Sequence, residues 1–105
     1  MTERTLRCRA AREARETELK IYANLDAAIG YENTAETVGQ ALTHRPDWTE
    51  ARLRFLTLAS QHRQMAATLA ASIGIDSEAV TERHRLRNLQ RQRREDSARW
   101  RAEHN

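Results

Sequence analysis

The sequence has one cysteine, one proline, three glycines and a single lysine among 105 residues. Each scarcity excludes something. A lone thiol, Cys8, cannot close an intramolecular disulfide and is too little for the usual zinc sites. It reads as an idle thiol in a reducing compartment. Three glycines, Gly30, Gly39 and Gly74, leave no material for phosphate-cradling loops, and no G-x-S-x-G elbow is present. Aromatic residues make up 5%. β-branched residues are also sparse, so strands have little to be built from. The longest apolar runs are short, such as Leu69-Ala70-Ala71, against the roughly 20 residues a membrane span needs. Arg4 and Arg7 are followed by no apolar stretch of the secretory kind. The expectation is a cytoplasmic protein with no membrane partner. The histidines His44, His62, His84 and His104 never fall into His-x-x-x-His or Glu-x-x-His spacing, so no helical metal motif is present. These gaps together point to no metal, no cofactor, no small-molecule substrate and no enzyme.

What is present is alanine, leucine, arginine and glutamate. The hydrophobic fraction is 39%, yet 17 of those residues are alanine. Leu, Ile, Val and Phe together number 17, about one residue in six. A core built from these is small. The charged fraction is 31%, but 18 basic residues face 15 acidic ones, for a net charge of +3. Disordered chains combine low hydrophobicity with high net charge, and the second condition fails here. The basic side is 17 arginines and Lys20. An arginine fork pairs bidentately with phosphate or carboxylate. The charge is segregated: residues 21–50 carry one basic and five acidic groups, whereas 51–75 carry three basic and no acidic ones.

The composition and spacing predict an all-α fold, one domain over residues 1–105, a small bundle of about four helices. A first helix is expected over about 3–29, closed by Gly30. A short one follows over about 34–44, with Asn33 and Glu36 as capping pair and Ala35, Val38, Ala41 and Leu42 as apolar face. Pro46 blocks its continuation. A long central helix is expected over about 47–73, with Asp47 as N-cap and Glu50 as its partner. Trp48, Phe55, Leu58, Ala59, His62, Met65, Ala66, Leu69 and Ile73 form its stripe. On that stripe His62 reads as a satisfied core histidine. A basic C-terminal helix starts near Asp76 or Ser77 and runs past Arg94. Residues 1–12 and 95–105 are expected to be exposed, frayed or disordered.

Residues 69–80 read Leu69-Ala70-Ala71-Ser72-Ile73-Gly74-Ile75-Asp76-Ser77-Glu78-Ala79-Val80. With their flanks, about 66–86, they resemble the helix-turn-helix DNA-binding motif. That motif takes a small residue where two helices cross, here Ala70. A glycine follows four positions on for a left-handed turn, here Gly74, and then a β-branched residue that packs the second helix back, here Val80. Where the motif has a further aliphatic residue, this chain has Arg83 and His84. The resemblance implies that the second helix enters the major groove with Ser77, Glu78, Thr81, Glu82 and Arg85 toward the bases. Three of the residues at that end, Asp76, Glu78 and Glu82, are acids, which phosphates repel, although glutamate can accept from cytosine. The run Arg83–Arg94 that follows supplies Arg83, Arg87, Arg91, Arg93 and Arg94 as candidate phosphate contacts.

Two functions fit these features. One is a small DNA-binding, regulator-like protein, expected as a homodimer that reads two half-sites. The other is a protein–protein interaction module, an adaptor, inhibitor or assembly factor of the kind that phages and mobile elements encode. Its anchor would be Trp100, an aromatic residue in an otherwise polar helix.

Overall fold

Ile21, Leu25, Ala28 and Ala35 recur along one face of the first helix, and each is nearly or wholly buried. Ala59, Ala66 and Ala70 do the same on the second helix. The computed structural model describes residues 2–41 and 46–104. It is all-α, with helices α1 (Glu3–Ala41), α2 (Trp48–Ser72) and α3 (Ser77–His104). Helices α1 and α2 form an antiparallel hairpin. Gly39 lies beside Arg52, Tyr31 stacks against Phe55 and His62, and Ile21 and Leu25 cluster with Ala66 and Ala70. Alanines dominate this seam, and small side chains let two helix backbones lie close together.

The described residues hold three helices where about four were expected. The expected break at Gly30 does not occur, and α1 runs through it to Ala41. The physical reason is tertiary. An interior glycine costs a helix only about 1 kcal/mol. Ala28 and Ala35, on either side of it, are both buried against α2, and that continuous seam outweighs the cost. The capping pair Asn33 and Glu36 therefore sits inside a helix. There Thr34 and Thr37 donate their hydroxyls back to the carbonyls of Gly30 and Asn33, at 2.9 and 3.0 Å. Leu42 and His44, the end of the expected short helix, lie outside the described residues.

Helix α2 agrees closely with its expected span. Asp47 holds the N-cap place and its carbonyl accepts from Ala51 N–H at 3.1 Å, but its side chain makes no capping bond. His62 is half-buried, hydrogen-bonded through Nδ1 to Asn24 Oδ1 at 2.9 Å and stacked on Tyr31.

Helix α1 has 39 residues and α2 has 25, so α1 overhangs the hairpin at its N-terminal end. Residues 3–16 are helical and exposed throughout, and so are residues 89–104 of α3. The molecule is accordingly flat and extended, 64 × 46 × 20 Å, with a radius of gyration of 18.8 Å. A compact chain of this length would have about 13 Å. No helix among the described residues is long and apolar enough to cross a membrane.

Candidate nucleic-acid interface

The turn from α2 to α3 is built as its residues suggest. Gly74 takes φ +72°, the left-handed conformation that favours glycine. Gly74 N–H donates to the Ala71 carbonyl at 3.1 Å, and Ile75 N–H donates to that of Ala70 at 2.9 Å. These two bonds satisfy the last carbonyls of α2 in the Schellman arrangement, and Ile75 packs back onto the core. Asp76 then starts α3: its Oδ1 accepts from Glu78 N–H at 3.3 Å and its carbonyl accepts from Val80 N–H at 3.1 Å. Ala70 and Val80 are buried in one cluster with Ile21, Leu25 and Ala66.

The five groove-reading candidates are all exposed, but they do not share one surface. Thr81 and Arg85 line a groove between α3 and the hairpin, together with Leu25, Ile29 and Arg63. Ser77, Glu78 and Glu82 lie outside that groove. Arg85 is also committed locally, giving Nε and Nη2 to Glu82 at 3.1 and 2.6 Å. The Arg85 bond holds the Glu82 carboxyl below its ordinary pKa, and Glu82 raises that of Arg85.

The arginines of α3 sort by helical position. At about 100° per residue, Arg83, Arg87, Arg91, Arg94 and Arg101 fall within an arc of about 80°. Glu78, Glu82, Asp96 and Glu103 lie on the opposite side, and Glu95 lies at the flank. Arg93 falls with the acids and with Leu89 and Trp100. The inner end of the row is docked: Arg83 meets Glu18 at 3.5 Å, and Arg87 lies 5.0 Å over the Tyr22 ring. Arg91 donates to Asn88 at 3.0 Å, and Arg101 donates to the Ser97 carbonyl at 3.4 Å. Arg93 and Arg94 have no hydrogen bond or ion pair among the described residues. Trp100 is 60% exposed and stacks on His104 of its own helix, centroids 4.3 Å apart.

What positions α3 is a residue that sequence reasoning passed over. His84 takes the place where an aliphatic side chain was expected, one turn beyond Val80, and is 3% exposed. Its Nε2 lies 2.7 Å from Asp26 Oδ1 on α1 and 3.3 Å from Asn88 Nδ2, and its ring stacks on Tyr22. Tyr22 donates its hydroxyl to Glu18 at 2.7 Å. Partial burial, then that bond to a carboxylate, raises the Tyr22 pKa above 10.0, while Arg83 and Arg87 oppose the rise. The available signal was Asp26, an acid in an apolar stretch of α1, with a histidine four residues after a buried valine.

No group of three His, Cys, Asp or Glu among the described residues is placed to hold a metal ion, and Cys8 is exposed. No protein-family model, curated protein or solved structure matches the chain.

Proposed function

We propose that this protein binds DNA through α3 and grips it by the phosphate backbone. The observation that carries the reading is the row of Arg83, Arg87, Arg91, Arg94 and Arg101 on one face of a helix whose outer half is exposed. From Arg87 to Arg101 the row spans 14 residues, about 21 Å of helix. Duplex DNA carries one phosphate per about 3.4 Å of each strand, so the four arginines of this stretch are spread over the length of about six phosphates. The acids of α3 lie mostly on the far side and do not oppose it. The glycine turn and buried Val80 support a helix-turn-helix-like attachment. Of the five reading candidates only Ser77 then lies at the flank of the gripping face, since Glu78 and Glu82 are on the opposite side of α3 and Thr81 and Arg85 line the groove toward the hairpin.

The test is selection from a random pool of double-stranded DNA at about physiological salt, where non-specific binding is already weak. An enriched site, and an inverted repeat above all, supports a sequence-reading dimer. Retention that modest salt abolishes reduces the reading to backbone contact. No retention at low salt overturns it.

A protein-interaction module is the second reading, and one observation favours it. Leu89 and Trp100 are 41% and 60% exposed on the side of α3 away from the arginine row, and Leu86, 46% exposed, lies between them and the row. If Trp100→Ala changes neither stability nor any binding, the anchor has no support.

A further inference from the structure

The groove between α3 and the hairpin has a character that phosphate binding does not use. Its volume is about 470 Å³, within the roughly 300–1,000 Å³ of small-molecule sites. Leu25 and Ile29 of α1 and Leu89 of α3 give it apolar walls, and Arg63 of α2 and Arg85 of α3 are cations on its lining. Among the described residues no carboxylate lines it. Both arginines are held by acids outside the groove. Arg63 gives Nη2 and Nε to Glu32 at 2.5 and 3.4 Å, and Arg85 gives the same two nitrogens to Glu82. A guanidinium has five N–H donors, so each keeps its Nη1 pair uncommitted while the carboxylate fixes its plane. Remaining guanidinium N–H donors over an apolar floor, each guanidinium ion-paired from outside the groove, complement an apolar tail bearing an anionic, hydrogen-bond-accepting head.

We infer that this groove binds a small lipophilic carboxylate, with its tail between Leu25, Ile29 and Leu89 and its head on the free Nη1 groups of Arg63 and Arg85. The site exists whether or not α3 binds DNA. It also accounts for Leu89, which is a large apolar side chain left 41% exposed.

The experiment titrates the full-length, isotope-labelled chain at pH 7 with octanoate, octanol and octylammonium, without DNA. The three probes share a tail and differ in head charge. The expected result is saturable octanoate binding, with amide shifts concentrated at Leu25, Thr81, Arg85, Asn88 and Gln92. Octylammonium should bind at least about tenfold more weakly, the scale of one charge-assisted hydrogen bond. Arg63→Gln and Arg85→Gln should each weaken octanoate about tenfold, with circular dichroism unchanged as the check on folding. Arg85→Lys retains charge and should lose less. Equal binding of octanoate and octylammonium overturns the proposal, because the surface is then merely apolar. So do shifts centred on Leu6 or Trp100, or the lack of any saturation.

Discussion

The α1–α2 seam and the outer half of α3 are both unbroken helix, yet they are held by different physics. Along the seam Ala28, Ala35, Ala59 and Ala66 are 0–3% exposed, and the two helices support each other over their facing lengths. Along α3 from Leu89 to His104 every residue is exposed. Among the described residues the hydrogen bonds, ion pairs and ring contacts there are local, such as Gln92 to Asp96 at 3.0 Å, Arg99 to Asp96 at 3.6 Å and Trp100 on His104. Arg101 and His104 also sit favourably at the C-terminal end of the helix dipole. Each such pair contributes only about 0.2–0.5 kcal/mol, and helix stability in proteins comes mostly from packing of an apolar face, which this exposed segment does not have. The outer half therefore depends on the inner turns, where Val80 and His84 dock. Helicity and burial are separable properties in this molecule, and the exposed helical surface lies where they part.

Breaking the packed side should have the largest effect. Ile21 is fully buried and, with Val80, one of the two largest side chains so placed. Ile21→Ala should lose about 3 kcal/mol, from the removed methylenes plus the cavity they leave. Urea unfolding followed by circular dichroism reads this directly. A loss under about 1 kcal/mol would mean that the cluster is not the core. His84→Ala tests the joint between the two regions. Losing its Asp26 bond and its stack on Tyr22 should cost about 1–3 kcal/mol. Hydrogen exchange should quicken along α3 while the seam keeps its protection. Uniform loss across all three helices would show that α3 is integral to the hairpin fold and not attached to it.

The sequence made the two regions unequally legible. Helix α2 could be placed to within a residue at each end because its stripe is dense and Pro46 and Gly74 bracket it. Helix α1 could not, because Gly30 and the Asn33–Glu36 pair are local stop signals, and the seam that overrides them is a contact between residues far apart in sequence. The turn at Gly74 was legible from where the α2 stripe ends, and the burial of Ala70 and Val80 from the resemblance to the helix-turn-helix motif. His84 was not, since a histidine in an aliphatic place looks like a departure until Asp26 is seen opposite it. The division of the reading candidates, with Thr81 and Arg85 toward the hairpin, depends on the angle at which α3 leaves it, and no local pattern encodes that angle.

The exposed side is sharpened by comparing arginines that sequence alone treats as equivalent. Arg91 and Arg94 lie on the row, and Arg93 does not. Arg91→Ala with Arg94→Ala should weaken DNA binding at low salt about tenfold or more, and should reduce the slope of log affinity against log salt by about 2. Arg93→Ala should leave the slope nearly unchanged. Equal effects from Arg93→Ala and from either row arginine would show that α3 contributes only diffuse charge, and the row would lose its meaning.

The smallest effects come from two glycines, and their signs should differ. Gly74 has φ +72° and Gly30 lies inside α1, and a methyl group added at either would meet no atom within 4 Å. No packing neighbour is in the way, so the local backbone conformation decides. Gly74→Ala forces an L side chain into the left-handed region and should destabilise by about 1–2 kcal/mol. Gly30→Ala removes the entropic cost of an interior helix glycine and should stabilise by about 0.5–1 kcal/mol. Thermal unfolding of the two variants beside the parent chain resolves both. If Gly30→Ala destabilises instead, the chain turns at residue 30 as the local sequence suggests. The seam from Ala28 to Ala35 would then not be continuous.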